Sequence, residues 1–173
     1  MLEKLICVVI FLCLVSSNSY SQSNIQSDTT TYEHLIGVQR DSLHNSEKFY
    51  SYGGALVGLE LPDKVKKLYS VKIFEVRDKD LLLFFVADKK NEQPDFIVKD
   101  QILLTKPSSE YRIATQMCTR NNEMDSSIIA VAKDEGGEEL TKIIKAWKIN
   151  YQKEKIIETD VKGIKCYKTF SSN

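Results

Sequence analysis

Histidine and tryptophan are scarce in this 173-residue chain, two and one respectively, and the shortage of histidine removes most of the usual enzyme chemistry. Nucleophilic catalysis needs a base beside the nucleophile, most often a histidine. His34 and His44 are the two available, both near the N-terminus, and no Gly-x-Ser-x-Gly turn accompanies the many serines. On a helix of about 3.6 residues per turn, positions ten apart point roughly 80° away from each other. That is a poor arrangement for chelation, even with Glu33, Asp41 and Glu47 nearby, so no metal site is expected. Phosphate-loop, dinucleotide and EF-hand patterns are missing, and no cofactor is expected. A charge excess is also lacking. The 24 basic residues balance 24 acidic ones, whereas a nucleic-acid binder normally carries a basic surplus. Arginine is rare, limited to Arg40, Arg77, Arg112 and Arg120. The lysines alternate with acids as on a solvated surface.

Long apolar runs are equally scarce. The one uninterrupted run, Leu5 to Val15, has eleven residues, against about 20 for a bilayer-spanning helix. A permanent membrane span is therefore not expected. Lys4 precedes this run and Ser16-Ser17-Asn18-Ser19-Tyr20-Ser21 follows it, which is the order of a secretory signal. Ser19 and Ser21 stand three and one positions before a cut that leaves Gln22 first. Residues 1–21 read as a signal peptide, 22–31 as a flexible polar leader, and 32–170 as a single β-rich domain. The expected location is the periplasm or the cell exterior. About 150 residues remain after cleavage, enough to bury about 68–70% of the unfolded chain's surface in one core.

Cysteine falls from four to two once Cys7 and Cys13 leave with the signal. In an oxidising compartment the remaining pair, Cys118 and Cys166, is expected to form a disulfide closing a loop of about 49 residues, worth roughly 4 kcal/mol in the chain-entropy model. Buried free thiols and a catalytic cysteine are the alternatives; zinc-ligand spacing is lacking.

Apolar spacing over Tyr32, Leu35, Ile36, Val38 and Leu43 predicts a short N-terminal helix, weakened at Gly37. Phe49 to Gly54 reads as an aromatic segment ending in a Gly-Gly turn, and Ala55 to Leu61 as a strand stopped by Pro62. From Ser70 onward, short strands alternate with polar turns at intervals of about 8–12 residues, the pattern of an antiparallel sheet. Val71–Val76 and Leu81–Val86 predict a hairpin across Arg77 to Asp80. The second arm is apolar without alternation, so both its faces should be covered. Phe96–Thr105 is a further strand. Tyr111–Cys118 and Ser127–Ala132 predict a second hairpin across Asn121 to Asp125. Residues 140–151 fit either a helix or a strand. The strand is preferred because Lys155–Thr159 lies just across a polar turn. Ile164–Tyr167 ends the series. The fold class is mainly β, an antiparallel sandwich or small barrel with a short N-terminal helix.

Ile143-Ile144-Lys145-Ala146-Trp147-Lys148-Ile149, then Lys155-Ile156-Ile157 and Lys162-Gly163-Ile164-Lys165-Cys166, resemble the ending of small uncharacterised secreted proteins of Bacteroidota. Cys118 and Ile128-Ile129-Ala130-Val131 fit the same pattern. The likeness covers about 60 residues and implies a β-rich domain with paired cysteines. It implies no activity and no site residues.

Aromatic side chains offer the best binding groups, since they combine large contact area with a polar handle. Tyr50 and Tyr52 precede the glycine pair, and Trp147 and Tyr151 share a face if their segment is a strand. These four residues are the candidate contacts, against the plainer expectation that they pack the core. Glu138-Glu139 and Glu158/Asp160 could supply paired carboxylates for a hydrolase, whose mechanism would depend on their separation. The sequence therefore points to an exported noncatalytic binding module with a protein or glycan partner, inhibitor-like in its sharpest form. A carboxylate-dependent hydrolase and a structural cell-envelope component are the alternatives.

Overall fold

The computed structural model describes residues 32–44, 50–58, 61–62, 65–76, 79–89, 93–105 and 108–168. The expected signal peptide and leader lie outside them. The most apolar sequence forms the centre. The run Leu81 to Phe85 is fully buried within strand β3 (Lys79–Asp88). This strand pairs with β2 (Lys67–Val76) in the register Ile73 with Leu82 and Phe74 with Leu81, as the hairpin pattern predicts. Burying each such side chain favours folding by roughly 1.5–3 kcal/mol, which offsets the ordering of the strand. On either side stand β1 (Tyr50–Val57) and β4 (Ile97–Thr105), completing a sheet ordered β1-β2-β3-β4.

Because successive side chains alternate faces, β3 supplies two cores. Leu82, Phe84 and Val86 join Val71, Ile73, Ile102 and Leu104 on one face, where they meet Ile129, Val131, Trp147 and Ile149. Those partners come from a second sheet, ordered β11-β10-β8-β5. Its members are β5 (Tyr111–Thr115), β8 (Ile128–Lys133), β10 (Ile143–Asn150) and β11 (Lys155–Thr159). On the other face Leu81, Leu83 and Phe85 pack with Phe74, Leu103, Leu35 and Leu43. The far face of the second sheet, with Ala114, Ile128, Ala130 and Ala146, packs on Cys118, Leu140, Ile164 and Cys166. These last residues belong to a third sheet, β7-β6-β12-β9, made of β6 (Cys118–Arg120), β7 (Glu123–Met124), β9 (Glu139–Leu140) and β12 (Ile164–Tyr167). All strand pairings are antiparallel. The layers run from the N-terminal segment through three sheets, and the small-barrel alternative is not formed: β1 and β4 are opposite outer strands of an open sheet.

Three expectations change in detail. The N-terminal helix is split into a 3-10 turn, Glu33–Leu35, and α1 (Arg40–His44). Gly37, at φ 88°, divides them. Its N–H donates to the Val98 carbonyl, and Arg40 N–H donates to the Phe96 carbonyl, so this stretch docks on the start of β4. The Gly53-Gly54 turn is also not formed: both glycines lie inside β1. A Cβ on Gly54 would come within 2.6 Å of the Val71 carbonyl oxygen, so the glycine permits a close strand approach. Pairing of Tyr111–Thr115 with β8 is as expected, but the segment is interrupted at Gln116, φ 72°. The chain leaves for the third sheet, turns back at Asn121 and Asn122, both with positive φ, and returns at Ser127. Two residues at positive φ make the tight turn whose twist suits a hairpin. The preferred strand reading of the ambiguous segment is borne out over residues 143–150: Asn150 pairs with Lys155 and Trp147 with Glu158 across a short turn.

Cys118 and Cys166 sit directly opposite each other on β6 and β12. Their Cα atoms are 4.0 Å apart and the side chains form a disulfide.

Candidate binding surface

β1 is an outer strand, and its residues follow the alternation of β2 only in part. Tyr50 pairs with Glu75 and Ser51 with Phe74, then the register slips by one before Gly53 pairs with Ile73. This bulge inserts Tyr52 and re-aims it, a common role for an extra residue near a sheet edge. Directly opposed residues share a face, so Tyr50, Glu75, Asp80 and Leu104 form one row across the sheet. Tyr52 joins that row because its hydroxyl donates to the Asp80 carboxylate. Burial first, then the Asp80 and Glu75 charges, push the Tyr52 hydroxyl far above its ordinary pKa. The accepting Asp80 carboxylate is itself buried. Tyr52 is 46% exposed, and Tyr50, two residues earlier on the strand, is 72% exposed. Two exposed tyrosines beside an acidic row, one of them held by Asp80, give a surface suited to recognition.

The other two candidate aromatics are placed differently. Trp147 is 3% exposed and lies in the core between the first two sheets, with the Lys145 ammonium 5.3 Å from its ring centre. Tyr151 does share that inward face. Its ring packs 4.7 Å from the Tyr69 ring and closes over Gly58. Gly58 follows the C-terminal end of β1, whereas Tyr50 begins the strand. At about 3.3 Å per residue, the two aromatic groups stand roughly 23 Å apart. They do not form one site.

Around Tyr151 the charges are mutually bound. Glu154 accepts from the Lys67 ammonium and lies 3.5 Å from the Lys99 ammonium, and Lys67 is the main cause holding Glu154 below its ordinary pKa. Asp100 accepts from Ile156 N–H at 2.7 Å and from Lys155 at 3.4 Å. This end is a joint between sheets.

Three of the four carboxylates weighed for hydrolysis are engaged. Glu139 lies 3.5 Å from the Lys165 ammonium and accepts from the Tyr167 hydroxyl at 3.3 Å. Glu158 pairs with Lys145 at 3.2 Å, and Asp160 accepts from Lys162 N–H at 3.0 Å. His34 is exposed, its ring 6.1 Å from Tyr32; the side chain of His44 lies outside the described residues. Among the described residues no group of three His, Cys, Asp or Glu could hold a metal ion, and no helix is long and apolar enough to cross a membrane.

Sequence reasoning missed Asp80 and Glu75. Asp80 reads as part of a polar turn, yet β3 already begins at Lys79. The available signal was an acid placed two residues before Leu82, on the same inward parity. No protein-family model, curated protein or solved structure matches the chain.

Proposed function

We propose that the chain is an exported, noncatalytic binding module that recognises another protein, with an inhibitor-like role as the sharpest form of this reading. The observation that carries it is that Tyr50 and Tyr52 are both exposed on β1, with the Tyr52 hydroxyl held by Asp80 of a firmly packed sheet. Rigid aromatic side chains bring large contact area at small ordering cost, which is what interface hot spots require. The Lys4–Leu5–Val15–Ser21 pattern and the Cys118–Cys166 bridge support export. The engagement of Glu139, Glu158 and Asp160 supports a noncatalytic role over the hydrolase reading.

The test is capture of a partner from an envelope extract on immobilised protein. One stoichiometric protein retained by wild type and by His34→Ala/His44→Ala, but lost with Tyr50→Ala/Tyr52→Ala at unchanged thermal melting, is the expected result. Retention by the double-tyrosine variant would move the contact elsewhere. A histidine variant that is folded yet inactive would return the search to the N-terminal segment.

A further inference from the structure

The outer strands of the three sheets are β1 and β4, β11 and β5, and β7 and β9. An unpaired strand edge is a template for another chain, and proteins normally guard it with charge or cover it. β4 carries Lys99 and Asp100 and takes backbone bonds from the Gly37–Arg40 stretch. β11 carries Lys155 and Glu158, β5 carries Arg112, β7 carries Glu123 and β9 carries Glu139. β1 differs from all of them. Its eight residues, Tyr-Ser-Tyr-Gly-Gly-Ala-Leu-Val, contain no charge and no proline. Among the described residues it pairs with β2 alone. Leu56, which is 48% exposed, lies on the opposite face from Tyr50, because its partner is Ser70 whereas Tyr50 faces Glu75.

We propose that β1 pairs antiparallel with β1 of a second copy of this chain, joining two four-stranded sheets into one continuous sheet through a two-fold dimer. The occupant is set by charge: a strand with no ionised side chain meets itself without like-charge repulsion, and an isologous contact needs only the one surface. The strand is also long enough, since eight residues span roughly 26 Å at about 3.3 Å per residue. Gly53 and Gly54 lie at its middle, so a two-fold axis near them brings the two backbones together at positions without side chains. Pairing uses the backbone edge, whereas tyrosine side chains stand perpendicular to the sheet. Dimer formation thus goes beyond the partner-binding reading and does not depend on it. It would also bring two Tyr50–Tyr52 surfaces into one assembly.

Sedimentation equilibrium of the disulfide-bonded protein tests this, together with hydrogen exchange of the β1 amides at low- and high-micromolar concentration. The expected result is twice the chain mass, β1 exchange that slows as concentration rises, and a single-chain mass for Leu56→Lys with an unaltered β-type circular dichroism spectrum. Wild type at single-chain mass throughout the range overturns the proposal. So does a dimer whose β1 amides exchange at the same rate at both concentrations, an outcome that needs no variant to fold. Loss of the dimer leaves the tyrosine-dependent capture experiment untouched, so the two readings fail separately.

Discussion

At the scale of single residues, burial separates groups that look alike in the sequence. Trp147 and Tyr50 are both aromatic residues on strands, yet one is 3% and the other 72% exposed. Trp147→Ala should therefore cost about 3–5 kcal/mol of stability, through lost transfer energy and the cavity left between two sheets. Chemical denaturation measures this directly. A melting temperature within a degree of wild type would place Trp147 outside the core. Gly54 makes the reverse point, that an absent side chain can be structural. Any Cβ there meets the β2 backbone, and the residue sits at φ 152°. Gly54→Ala should lose roughly 1–3 kcal/mol, the usual cost of local backbone strain. Gly137, whose Cβ would meet nothing closer than 3.9 Å, is the control and should tolerate alanine with little change.

Elements were legible where the side-chain period was unambiguous. The β2–β3 hairpin, the doubly covered Leu81–Phe85 run, the strand at 143–150 and the pairing of β11 with β10 follow from alternation and turn chemistry alone. The misread elements share a cause: a long-range contact overrode the local pattern. Gly53-Gly54 is a turn signal by composition, but here it lets β1 approach β2. Gly37 splits a helical period because the segment gains backbone bonds to β4. The β6–β7 hairpin was hidden inside what reads as one loop, although Asn121-Asn122 is itself a hairpin signal. Of the candidate site, the tyrosines could be named in advance, whereas Asp80 depends on cross-strand register, which the sequence does not print. The third sheet also owes most to one covalent link, since its strands are two to four residues long and strands so short are weakly held by hydrogen bonds alone. Cys118→Ser/Cys166→Ser should lower stability by about 2–4 kcal/mol. Faster hydrogen exchange should be confined to β6, β7, β9 and β12, with β2 and β3 unchanged. Equal acceleration in the first sheet would show that the bridge supports the whole fold instead of its outer layer.

At the scale of the whole molecule, three carboxylates with lowered pKa values link segments at the joints between its layers. Glu154, in the β10–β11 turn, is held down chiefly by Lys67 of β2, with Lys99 of β4 assisting against the opposing effect of burial. Burial alone would raise Asp125, but the Ser127 hydroxyl and the Lys148 ammonium of β10 outweigh it. Asp134, just after β8, is lowered by Lys168 beyond β12, by the Gly136 N–H and by Arg112 of β5. Each acid thus links segments distant in sequence. The sign follows from proton linkage: a carboxylate with a lowered folded pKa binds protons more readily when unfolded, so its contribution is present above the ordinary value and lost as pH falls through the folded one. Ordinary carboxylates titrate near 4. Lys67 is shifted upward, so its contribution is complete below its ordinary value and is lost only as alkaline pH rises through the folded one. Between about pH 5 and 8 these groups should leave the melting temperature level, and below about pH 4 it should fall steeply. Asp125→Asn should start from a lower melting temperature and fall less on acidification, because one of the three linked protonations is gone. A melting temperature that changes between pH 7 and 5, or an unaltered acid slope in Asp125→Asn, would mean that acid acts on the fold elsewhere than at these joints.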